Sequence, residues 1–179
     1  MAQKGFDIEK QISIDVSAEK LWEMIGPGFV DVYKWSSNVD FAEGSGEPEF
    51  EGAAVRNRFC NVNVKGFDKI SERLVKYSDQ DRVLAYSVTG GMPNFVESAT
   101  NEWSVLEDGP NKSILTMSAK FRSKGVVAIL MNPLMKKNLK ETLEIVLKDA
   151  KIYAETGLIS EAKRKRIEEL KKQKSPLAA

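Results

Sequence analysis

The chain has 179 residues, of which 42% are hydrophobic and 30% charged, and its formal net charge is +1. That suits one domain with a substantial core, and the near-neutral balance supplies no global field for nucleic acid or an anionic membrane. With no histidine and a single cysteine, Cys60, the chain excludes a Ser-His-Asp or Cys-His device, a histidine-bound zinc and an intrachain disulfide. Any catalysis must use carboxylates, Lys, Arg, Tyr or the lone thiol. The first residues hold no apolar signal core and no apolar run approaches about 18 residues, so a cytoplasmic, reducing location is expected.

In chain order, Phe6, Ile8, Ile12, Ile14 and Val16 alternate with polar residues, and only Lys10 spoils a period of two. This predicts a half-buried strand. Ser17 offers a helix N-cap, Glu19 meets the helix dipole, and Val16 and Leu21 can form a hydrophobic staple. A helix over Ala18–Ile25 is stopped by Gly26-Pro27-Gly28, with a short turn of helix through Phe29–Tyr33. Five strands are then predicted near Ala54–Val62, Gly66–Tyr77, Arg82–Thr89, Phe95–Leu106 and Ser113–Phe121, with an irregular one inside Trp35–Phe41. Turn residues such as Ser78-Asp79-Gln80-Asp81, Gly90-Gly91-Met92-Pro93 and Asp108-Gly109-Pro110-Asn111 separate them. Connections this short favour an antiparallel meander.

A long helix is predicted over about Asn132–Glu155. Leu139, Leu143, Val146, Leu147, Ala150 and Tyr153 recur at helical spacing, and Lys136, Lys137, Lys140, Glu144 and Lys148 lie on the other side. Gly157 suits a left-handed C-terminal cap. Between Ser160 and Lys174 stand seven basic and three acidic residues, a segment of +4 that leaves −3 elsewhere. Such a face is ordinarily just solvated, with binding of a macromolecular partner as the alternative.

The fold class is therefore α+β: a curved antiparallel sheet of six to seven strands around a long C-terminal helix, with two short helices after the first strand. Residues 1–157 form the ligand-binding domain and 158–179 a charged helical tail. A sheet bent around a helix leaves a cavity between them, the natural site for a small hydrophobic guest.

This order resembles the START-like superfamily, whose helix-grip fold includes plant pathogenesis-related allergens, polyketide cyclases/dehydrases and abscisic acid receptors. The resemblance is carried by Val16-Ser17-Ala18-Glu19-Lys20-Leu21-Trp22, Tyr33-Lys34-Trp35, Gly52 with Val55-Arg56, Ser71-Glu72-Arg73-Leu74, Asp81-Arg82-Val83-Leu84-Ala85-Tyr86 and Gly90-Gly91. Within it the string looks most similar to abscisic acid receptors and lachrymatory-factor synthase. The receptor resemblance implies that Lys34 contacts a ligand carboxylate and Glu72 lines the pocket. The synthase resemblance implies proton transfer by Arg56 and Glu72. The chain departs from the receptors at two places. The loop Gly90–Phe95 keeps the glycines but lacks the latch's His-Arg-Leu, and Cys60-Asn61-Val62-Asn63-Val64 replaces the gate.

Glu72 falls between Ile70 and Leu74 on the inward parity of its strand, where a carboxylate needs a partner or a raised pKa. It is either a ligand anchor or general base, or one half of an internal ion pair. Arg56 and Arg58 share parity with Cys60 and oppose Val55 and Phe59. If the arginine face is inward, Arg56 is the natural partner of Glu72; if Val55 and Phe59 face inward, both arginines are solvated. Parity alone favours the second arrangement and the resemblance favours the first, for Arg56.

Lys34 is either a tether for an anionic head or a surface lysine. Tyr86, with Leu84 and Val88 on the same parity, points inward, and Trp103, Leu139 and Leu143 complete an apolar lining or an ordinary core. Cys60, with no histidine beside it, reads as an inert buried thiol in that lining. Gly90-Gly91-Met92-Pro93 is either a lid or a plain hairpin loop. No Walker or dinucleotide motif is present. No metal, cofactor or nucleic acid is expected, and the expected partner is a small hydrophobic molecule. The chemistry, if any, would be cyclisation, dehydration or isomerisation by proton transfer. A non-catalytic carrier or sensor is the rival, and a scaffold acting through the basic tail is a third possibility. The oligomeric state is not legible.

Overall fold

Alternating apolar residues fold into seven antiparallel strands: β1 (Lys4–Ile14), β2 (Val39–Ser45), β3 (Asn57–Val64), β4 (Phe67–Ser78), β5 (Val83–Gly90), β6 (Val96–Glu107) and β7 (Ser113–Ser123). Helix α1 (Ala18–Ile25) and a 3-10 turn (Phe29–Lys34) follow β1, and α2 (Gly125–Thr156) and α3 (Glu161–Lys174) close the chain. A computed structural model describes residues 4–174. The sheet order is β1-β7-β6-β5-β4-β3-β2. The first and last strands in sequence are thus neighbours: the chain passes from β1 at one edge to β2 at the other, and the β2–β7 meander runs back across the sheet to β1.

Pleating places the inner residues. Ile14, Leu74, Leu84, Cys60 and Leu115 are almost fully buried. Strand β4 carries irregularities against β5 between Ser71 and Glu72 and between Leu74 and Lys76. The second shifts the pleat so that Leu74 and Tyr77, three apart, are both buried. Ser17 caps α1, its hydroxyl accepting from the Lys20 N–H. Trp22 of α1 packs on Tyr77 with ring centroids 5.5 Å apart. Both donate to Asp79 Oδ1, the indole N–H at 2.7 Å and the phenol at 2.9 Å. These contacts fill one end of the sheet.

Helix α2 lies across the sheet with Leu143, Leu147 and Ala150 buried. Lys10, the polar interruption in β1, reaches Glu144 of α2 at 2.9 Å. Asp149, also buried, accepts from the Ser37 N–H at 2.7 Å and its hydroxyl at 2.6 Å, tying the segment after the 3-10 turn to α2. The helix starts at Gly125, seven residues before the expected Asn132, and carries Pro133 inside it. A proline removes one backbone donor, and the turns before it still supply helical bonds of their own. Gly157 ends α2 in the left-handed conformation, φ 71°.

The basic segment packs back on the sheet edge. Lys163 is buried and donates to the Val39 carbonyl at 2.7 Å, and Arg166 makes a two-pronged pair with Asp40 at 2.9 and 2.6 Å. Two of its seven cations therefore bind β2. Residues 175–179 of the expected tail lie outside the described residues. Among the described residues, no helix is long and apolar enough to cross a membrane.

Candidate functional site

Between α2 and the concave face of the sheet lies a cavity of about 430 Å³, within the roughly 300–1,000 Å³ of small-molecule sites. Val62, Ile70, Val88, Met117, Leu139 and Val146 are among its apolar walls. Lys65, Gly66, Met92, Pro93 and Leu134 also line it, and these residues are exposed or half-buried. They mark the open end. Gly91 has φ 87°, and a Cβ there would fall 2.0 Å from the Lys69 carbonyl. The loop between β5 and β6 is thus seated closely on β4 as a hairpin connection.

The polar floor is built across β3 and β4, where Arg58 and Glu72 are cross-strand partners. Arg58 Nε donates to Glu72 Oε2 at 2.6 Å, and Arg58 is only 4% exposed and Glu72 2%. The guanidinium also donates to the Phe29 carbonyl. It stacks 3.7 Å over the Phe29 ring, with the Tyr86 ring at 5.1 Å. Burial alone would lower the Arg58 pKa. The Glu72 charge, with Cys60 and Tyr86 behind it, outweighs that and raises it. Both Arg58 and Glu72 line the cavity. The floor thus presents an acceptor and a donor side by side on a pair whose net charge is zero.

Around the dyad, burial and then the Arg58–Glu72 surroundings set the remaining groups. The Cys60 thiol lies 3.8 Å from Glu72 Oε2 and burial pushes its pKa up to about 12. Burial and the neighbouring Glu72 carboxylate push the Tyr86 phenol above its ordinary range. Both stay protonated at neutral pH, so Glu72 is the group of this floor equipped to accept a proton. Trp103 lines the same cavity.

Seven of the expected site residues meet here: Glu72, Tyr86, Val88, Cys60, Trp103, Leu139 and Leu143. Three do not. Arg56 stands before β3 begins and pairs with Glu49 at 3.2 Å on the surface, its side chain 40% exposed. Lys34 pairs with Asp31 at 2.8 Å, also outside the cavity. Leu84 faces inward but sits opposite Tyr77 and Trp103, in the filled end of the sheet. The residue that sequence reasoning passed over is Arg58. The signal was available: Arg58, Cys60 and Val62 alternate, and all three are buried. No group of three or more His, Cys, Asp or Glu able to hold a metal occurs among the described residues.

A sheet wrapped on a C-terminal helix over an internal cavity defines a helix-grip, START-like protein. The chain belongs to the family described as polyketide cyclase / dehydrase and lipid transport, whose model matches residues 5–155. Similar solved structures include a START superfamily protein from Mycobacterium smegmatis (17% identity, TM-score 0.66, covering 93% of this chain and 99% of that one). Others are the Zhui aromatase/cyclase from a Streptomyces species (14%, 0.67, 88% and 100%) and norcoclaurine synthase from Thalictrum flavum (14%, 0.65, 84% and 96%). No curated protein matches the chain. At these identities the structural likeness establishes the fold alone.

Proposed function

We propose that the protein binds a small, neutral amphipathic molecule, its apolar body in the cavity and its hydroxyl or carbonyl group on the Arg58–Glu72 floor. The observation that carries this is the buried dyad lining a largely apolar cavity. A lone buried cation would select a carboxylate. Here the Arg58 charge is already balanced, and a second carboxylate would meet Glu72, so a neutral polar head fits better. Buried donors and acceptors facing the guest would also discriminate strongly against analogues that lack the polar group. We place this activity in the cytoplasm, where a single reduced thiol is at home.

A second reading is favoured by the place of Glu72 on the cavity: its carboxylate could take a proton from the bound molecule, with the Arg58 guanidinium stabilising the developing negative charge. That would be cyclase-, dehydratase- or isomerase-like chemistry, with Arg58 in the role first expected of Arg56. Native mass spectrometry of the purified protein tests the binding function, which expects a co-purifying small molecule at one per chain. Incubating that molecule with wild type and Glu72→Gln then separates the two readings. A carrier returns it unchanged with both proteins, whereas an enzyme converts it only with wild type.

A further inference from the structure

The first turns of α2 present three large apolar side chains to solvent. Val126 is 75% exposed, Leu130 78% and Leu134 46%. Spaced four apart, they form one stripe along the helix. Leu134 also lines the open end of the cavity, together with Met131 and Met135 from the same turns. The same stretch is basic. Lys124, Lys136, Lys137 and Lys140 are exposed, and no acid occurs from Ser123 to Lys140. The charged residues lining the cavity, apart from the dyad, are Lys65 and Lys120. Asp7, within electrostatic reach of Lys120 and Lys136, is already paired with Arg122.

We infer that this end of the molecule docks on an anionic lipid surface, seating Val126, Leu130 and Leu134 among the acyl chains while the lysines meet the headgroups. An apolar stripe bordered by lysines is the pattern of a helix that lies in a bilayer interface, and anionic lipid attracts each such lysine. A second copy of the chain fits worse, because a two-fold contact would set the same lysines against each other. The inference rests on the proposed guest binding and adds its source: a neutral amphipathic molecule dissolves in the bilayer, and the cavity opens where the bilayer would lie.

Flotation with phosphatidylcholine vesicles, with and without phosphatidylserine, tests this on the full chain. Binding to the anionic vesicles should exceed binding to the neutral ones by about tenfold or more and weaken with added salt. V126E/L130E should abolish it, V126S/L130S should lose most of it, and K136A/K137A should reduce the preference for anionic lipid. All should still bind a neutral fluorescent probe in the cavity. Equal flotation with both vesicle types, no flotation of wild type, or unchanged flotation of V126E/L130E overturns the inference. So does a concentration-dependent dimer that V126E/L130E dissolves without any vesicle binding. No flotation of wild type with its probe binding intact refutes the docking alone, whereas failure of wild type to bind any probe or co-purified molecule refutes the guest-binding function.

Discussion

Arg58 and Glu72 stand opposite each other on β3 and β4, with Arg58 Nε 2.6 Å from Glu72 Oε2 in a nearly sealed site. Removing two charges from water is costly, and a well-packed apolar pair would stabilise such a fold at least as well. Under the proposed function, the dyad's role is what it offers a guest rather than stability.

Breaking it from one side should be severe. Arg58→Met leaves a carboxylate buried without its partner and should cost about 3–5 kcal/mol. The double variant Arg58→Met/Glu72→Leu should recover most of that loss while binding no polar guest. Urea unfolding of the two variants measures the difference.

Arg56→Ala and Lys34→Ala should leave guest affinity unchanged, because both side chains pair outside the cavity. Guest titrations check this, and the contrast between Arg56 and Arg58 is the sharper test.

Cys60 should resist alkylation. With a pKa pushed up to about 12, its thiolate fraction at pH 8 is about a thousandfold below that of an ordinary thiol. Iodoacetamide labelling of the native protein should be slower by at least that factor than in urea. Because the pKa is raised, the native rate should keep climbing through pH 10 instead of levelling near pH 9.

Helix α3 should stabilise the domain through its anchor on β2. Arg166→Ala removes a two-pronged pair to Asp40 and should cost about 1.5–3 kcal/mol. A double-mutant cycle with Asp40→Ala should show that the two losses do not add.

Much of the architecture was legible because local signals agreed. The Ser17 cap with the Gly26-Pro27-Gly28 stop marked α1 on its observed bounds, and turn residues between alternating runs separated the strands. The inward face of Glu72 followed from Ile70 and Leu74. Arg56 was favoured by the resemblance, against parity, but β3 begins at Asn57, so Arg56 lies before the strand that turns Arg58 inward. Lys34 was captured by an acid one turn earlier, a local pairing that tertiary reasoning overlooked. The start of α2 was hidden because Val126 to Met131 is nearly all apolar, without the polar face that reveals a helix, and Pro133 reads as a first-turn residue. The cavity's existence was arguable from the fold class, but its open end depends on loops whose placement no periodicity encodes.

Titration with the neutral fluorophore N-phenyl-1-naphthylamine tests the central claim most directly, comparing wild type with Ala119→Trp, a substitution on the cavity wall. Saturable binding at one probe per chain, with blue-shifted emission in wild type and loss in the folded Ala119→Trp variant, is the predicted result. Absence of saturable binding, or binding untouched by the filled wall, would contradict the account.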